Sequence, residues 1–113
     1  MEITPIADFS KENNPNVRVL SNGYTLSNLK TLLSVARSNN FGVVAVNQKT
    51  AQIVEATLEA AWQEKSPVIC ELAESESNYC NMSPEKLSNL VHETIQKMIL
   101  THQPNIQVVC FMF

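Results

Sequence analysis

Three short, apolar, β-rich stretches at positions 41–46, 68–73 and 106–113 alternate with two long amphipathic segments. That alternation limits the fold more than any other feature. Strands separated by helices of 15 or more residues imply right-handed βαβ crossovers and a parallel sheet. The run Phe41-Gly42-Val43-Val44-Ala45-Val46 is apolar throughout rather than alternating, so it is expected to be buried on both faces.

The helices are legible from their spacing. Thr25 is placed to cap a first helix carrying Leu26, Leu29, Leu32, Leu33 and Ala36 on one stripe, with Ser38-Asn39-Asn40 ending it. A second helix is expected from about 48 to 65, with Ile53, Val54, Ala56, Leu58, Ala60, Ala61 and Trp62 as its apolar face. Pro67 disfavours helical geometry at Ser66 and stops it. Residues 74–82 read as a polar loop. Ser83-Pro84-Glu85 is a strong helix start: a hydroxyl cap, proline at the first helical position and an acid in the first turn. Leu87, Leu90, Val91, Ile95, Met98 and Ile99 line that helix, which is expected to end near His102, before Pro104. Residues 1–24, with Pro5, Pro15 and several asparagines, read as an irregular leader holding at most a short strand at 17–20.

Composition excludes several functions. Eight Lys and Arg oppose eleven Asp and Glu with no basic run, so the electrostatic footprint of a nucleic-acid binder is missing. No apolar stretch is long enough to span a bilayer, and no secretory signal pattern opens the chain. Cys70, Cys80 and Cys110 have no metal or redox spacing and read as reduced thiols of a cytoplasmic protein. Cys70, Cys80 and His92 fit no zinc pattern, and nothing in the spacing supports Cys80 with His92 as a nucleophile pair. Cys70, Cys110 and Trp62 read as core packing. All acids but Asp8 are glutamates, so the body of the domain has no aspartate for chemistry.

In parallel βα folds, active groups sit at the carboxyl ends of strands. Here those ends offer Asn47 after the first strand and Ala73-Glu74-Ser75-Glu76 after the second. Asn47 also reads as a cap for the following helix, and Glu74 and Glu76 as a solvated loop.

The segment from Leu29 to Tyr79 resembles the N-terminal part of the class II, zinc-dependent ketose-bisphosphate aldolases. The matching words are Leu29-Lys30-Thr31-Leu32-Leu33 with Ala36, then Phe41-Gly42-Val43-Val44-Ala45-Val46-Asn47. They continue with Ile53-Val54-Glu55-Ala56-Thr57-Leu58-Glu59-Ala60-Ala61, Ser66-Pro67-Val68-Ile69, Ala73-Glu74-Ser75 and Tyr79. The resemblance implies an α/β fold, a partial TIM (β/α)8 barrel made of the first three parallel βα units preceded by a helix. Residues 1–24 would be the leader and 25–113 the incomplete barrel segment. A closed barrel needs about 250 residues, more than twice this chain.

The resemblance also implies aldol cleavage of fructose- or tagatose-1,6-bisphosphate, with Zn2+ as Lewis acid and sugar bisphosphate as substrate. By family position, Asn47 and Glu74 lie on the substrate side. The family's His-x-Asp-His motif at the third strand is not matched. Phe111 falls where the first His would be and Phe113 where the Asp would be, and the serine common after the second strand is Ala73. No catalytic residue and no zinc ligand is therefore assigned, and the chain alone is expected to be inactive. It is expected to be an N-terminal fragment of such an aldolase, or else a non-catalytic partner subunit. The third strand, apolar and lacking a neighbour on one edge, is expected to drive homo- or hetero-oligomerisation or aggregation.

Overall fold

The computed structural model describes residues 17–19, 24–101 and 107–112. The leader at 1–16, Leu20, His102, Pro104 and Phe113 lie outside the described residues. The elements in chain order are β1 (Val17–Val19), β2 (Tyr24–Ser27), α1 (Leu29–Ser38), β3 (Val44–Asn47) and α2 (Ala51–Gln63). They continue with β4 (Val68–Glu71), α3 (Glu74–Tyr79), α4 (Pro84–Thr101) and β5 (Gln107–Met112). Among the described residues these strands form one sheet in the order β1-β2-β5-β4-β3. β1 runs antiparallel to β2, and the other neighbours are parallel.

β3, β4 and β5 are sequential neighbours joined by helices, the parallel arrangement expected from the alternation and compatible with the partial βα barrel that the resemblance implies. Strand residues alternate between faces, and the core divides accordingly. Val68 and Cys70 of β4 and Val109 of β5 join Val54, Leu58, Ala61 and Trp62 of α2 and Leu87, Val91, Ile95 and Met98 of α4 in one large cluster. On the other face Ile69, Val108 and Cys110 meet Leu32 and Val35 of α1 in a smaller one. The sheet is thus sandwiched, with α2 and α4 on one side and α1 on the other.

Local chemistry sets the helix ends. Asn28 caps α1, its Oδ1 accepting from the Thr31 N–H at 2.9 Å. At the far end Asn39 donates its side-chain amide to the Val35 carbonyl at 2.9 Å, and Asn40 takes a left-handed backbone with φ 56°. Thr50 Oγ1 accepts from the Ile53 N–H at 3.2 Å to start α2. Ser83 Oγ accepts from the Lys86 N–H at 3.0 Å, with Pro84 as the first residue of α4, as the Ser-Pro-Glu start requires.

Several expectations are corrected. Thr25 caps no helix: Tyr24–Ser27 is a strand running across the 24/25 position, and Thr25 is buried in it. α1 begins after Asn28 instead, so Leu26 belongs to the sheet and packs against the larger cluster. Leu33 lies off the buried stripe of α1, 48% exposed. Asn47 is not the cap of α2, since Thr50 takes that place. Residues 74–79 form the short helix α3 rather than a loop.

Two corrections concern strand burial. β3 is not covered on both faces. It lies at the sheet's edge, and Val44 is 66% exposed. The third apolar strand, β5, is conversely not left with a bare edge. β2 pairs along it in parallel, Thr25 opposite Val108 and Leu26 opposite Val109, and Val108, Val109 and Cys110 are buried. Association through an exposed third strand therefore has no basis in this fold: the edge is occupied by the chain's own residues.

Candidate functional site at the strand carboxyl ends

The carboxyl ends of β3 and β4 lie side by side, with Asn47 in register with Glu71. The Gln48 N–H donates to the Glu71 carbonyl at 2.9 Å, extending the pairing one residue beyond β3. Asn47 is exposed at this edge. Glu74, the first residue of α3, is exposed as well. It lines a cavity of about 320 Å³ together with Leu72, Ala73, Ser77 and Pro84. The two substrate-side candidates thus stand at the ends of neighbouring strands, on the end of the sheet where parallel βα folds place their chemistry.

Three further residues shape this end, Gln48, Lys49 and Glu76, of which only Glu76 stood out in the sequence. Gln48 is fully buried. Its Nε2 donates to the Val46 carbonyl at 3.0 Å and to Thr57 Oγ1 at 3.3 Å, while its Oε1 is buried with no hydrogen-bond partner in the structure. Lys49 Nζ lies 3.3 Å from Glu76 Oε2, an ion pair linking the loop after β3 to α3. The side-chain contact with Glu76, then its charge, then Tyr79, raise the Lys49 ammonium above its ordinary pKa. Both glutamates lie in α3 rather than in a loop, and of the solvation expected for them only that of Glu74 holds, since Glu76 is buried. Only the polarity of Gln48 directly after an apolar strand could have signalled it, and that signal is common to strand ends.

Among the described residues no three His, Cys, Asp or Glu side chains converge. Phe111 packs partly buried against the helix-side cluster. Cys70 and Cys110 belong to opposite faces of the sheet, and Cys80 follows α3. Burial, and secondarily the neighbouring Cys110, pushes the Cys70 thiol up to about 12, and burial raises Cys110 as well. Both are core groups, as is Trp62 in α2.

Sequential parallel strands β3-β4-β5 with their connecting helices on one face, and polar groups gathered at the strand carboxyl ends, are compatible with part of a βα barrel. The family model for class II fructose-bisphosphate aldolase matches residues 27–111, and the chain belongs to that family. The family's fold is the TIM barrel. No curated protein and no solved structure matched the chain. Among the described residues no helix is long and apolar enough to cross a membrane.

Proposed function

We propose that this chain forms the substrate-side wall of the first three strands of a ketose-bisphosphate aldolase-type barrel and has no aldol-cleaving activity by itself. Asn47 offers an amide to a sugar hydroxyl or carbonyl oxygen, and Glu74 offers a carboxylate beside the cavity after β4. The family match over residues 27–111 carries this reading. The inactivity follows from residue type: phenylalanine at positions 111 and 113 can neither ligate zinc nor transfer a proton. In the family Zn2+ serves as the Lewis acid, a role these residues do not support.

Two measurements test it. The purified chain, given fructose or tagatose 1,6-bisphosphate with Zn2+, is expected to release no triose phosphate. Zinc-dependent cleavage by this chain overturns the reading. Backbone amide shifts on adding the bisphosphate are expected at Asn47 and Glu74 and are lost in Asn47→Ala with Glu74→Gln. Shifts that survive both substitutions place binding elsewhere.

A second reading, a non-catalytic partner subunit, is favoured by the outer edge of β3, which has no strand neighbour among the described residues, and by its exposed Val44. It predicts a discrete complex that Val44→Lys disrupts, seen by sedimentation; monomer at all concentrations, alone and with a catalytic aldolase, counts against it.

A further inference from the structure

In a βα barrel the strands pair in sequence, the helices lie outside, and the other face of the sheet turns to a lumen filled by strand side chains. β3, β4 and β5 obey the first two conditions, with α2 and α4 on the outer face. Ile69, Val108 and Cys110 then mark the lumen face, and that face is taken by α1 through Leu32 and Val35, with Leu29, Phe41, Val43 and Met112 around them. The edge of β5 at which a fourth barrel strand would pair is taken by β2. One edge and one face cannot hold two occupants. The described arrangement and a closed barrel therefore exclude each other.

The two sides of the sandwich are unequal. The helix-side cluster draws on α2, α4, β4, β5 and the residues Leu72 and Met82. The lumen-side cluster depends on a single helix that buries little beyond Leu32, Val35 and Ala36, while Lys30, Leu33, Ser34, Arg37 and Ser38 face outward. Regions with few buried apolar contacts open at lower free energy than the core, as separate cooperative units. α1 is also bounded by its own caps, Asn28 at one end and Asn39 at the other, so its ends are closed locally rather than by the helix-side core.

We infer that α1 is a detachable lid: it closes the lumen face of this sheet and opens apart from the helix-side core, switching the chain between a self-capped form and one that presents a bare barrel-type face. The lid rests on the two-sided core alone. Only its meaning for barrel closure rests on the aldolase-type reading, so a failed binding or cleavage assay leaves the lid standing or falling on its own test.

The buried thiols report on the two faces separately. Cys110 lies under α1 and Cys70 under the other helices, both fully buried, while Cys80 is half-buried. The full chain is treated with N-ethylmaleimide under native conditions, and each cysteine is quantified by peptide mass spectrometry. Cys80 is expected to react first, then Cys110, with Cys70 slowest. Leu32→Ala is expected to accelerate Cys110 at least tenfold and to leave Cys70 within twofold. Leu33→Ala, on the outward face of α1, is expected to change neither. Equal acceleration of Cys70 and Cys110 by Leu32→Ala overturns the inference, because α1 then opens only with the whole fold. No change at Cys110 overturns it too, because α1 then is not what covers that thiol. If Leu32→Ala does not fold, Val35→Ala is measured in its place; failure of both to fold also overturns it, since a separable lid can be weakened without losing the core.

Discussion

Leu58→Ala tests how the stability of this sandwich is distributed. Leu58 is fully buried in α2, inside the cluster that α2, α4, β4 and β5 share. The truncation removes three carbons, worth about 2.4 kcal/mol at about 0.8 kcal/mol each. Elements packed from several directions relax little, and the remaining cavity raises the cost to about 3–4 kcal/mol. Leu32, equally buried, loses the same three carbons in Leu32→Ala, but a single helix can settle over the gap, and the cost falls to about 2–3 kcal/mol. Urea unfolding followed by far-UV circular dichroism reads both. With a slope of about 1.5 kcal/mol per molar, Leu58→Ala lowers the midpoint by about 2 M, and Leu32→Ala lowers it less. A Leu58→Ala cost under about 1 kcal/mol refutes the placement of the main core. A larger cost at Leu32 than at Leu58 refutes the unequal division between the faces.

Thr50→Ala removes the hydroxyl that accepts from Ile53 and is expected to cost about 1 kcal/mol, lowering the melting temperature by about 4–8 °C; no change in thermal scans argues against the cap. Alkaline stability follows Cys70. Its folded thiol holds the proton more tightly than the ordinary 9.0, up to about 12, so its contribution is complete below pH 9 and lost as pH rises from 9 toward 12. At about 1.4 kcal/mol per pH unit that is about 4 kcal/mol over the full span. Cys70→Ala is expected to flatten the fall in unfolding free energy between pH 8 and 10.5, and parallel curves for the two proteins would falsify the burial of this thiol. The Lys49–Glu76 pair adds a later alkaline loss: Lys49 is raised above 10.5, so its contribution holds below that pH and disappears above it. Glu76→Gln should remove that component from the same curves, and an unchanged profile speaks against the pairing.

Period and punctuation made much of this fold readable. Ser83-Pro84-Glu85 announced α4, and Asn39-Asn40 the end of α1, because capping chemistry is local. Leu58, Trp62, Leu87 and Val91 followed from helical spacing alone. What failed was non-local. Tyr24-Thr25-Leu26-Ser27 fits a helix start as well as a strand, and only pairing with β5 decides for the strand. An apolar run such as 41–46 cannot tell a central strand from an edge one, since edge position is a property of the whole sheet. Asn47 and Glu74 were readable as strand-end groups because the alternation of strands and helices fixes where such ends fall. Gln48 and the Lys49–Glu76 pair were not, because their burial and partnership depend on how α3 folds back over the loop after β3.

The pairing of Tyr24 with Gln107 has a kinetic consequence. β3, β4 and β5 can assemble progressively, each joining the strand before it across one helical crossover. β2 must instead wait until nearly the whole described chain has passed before its parallel partner β5 exists. The entropy of closing so long a loop is met only after the other parallel pairs have formed. During synthesis β1 and β2 are made before β3, β4 and β5 and dock onto them last, so a stalled ribosome would present a two-stranded ribbon with one bare edge while the center of its sheet was still being made.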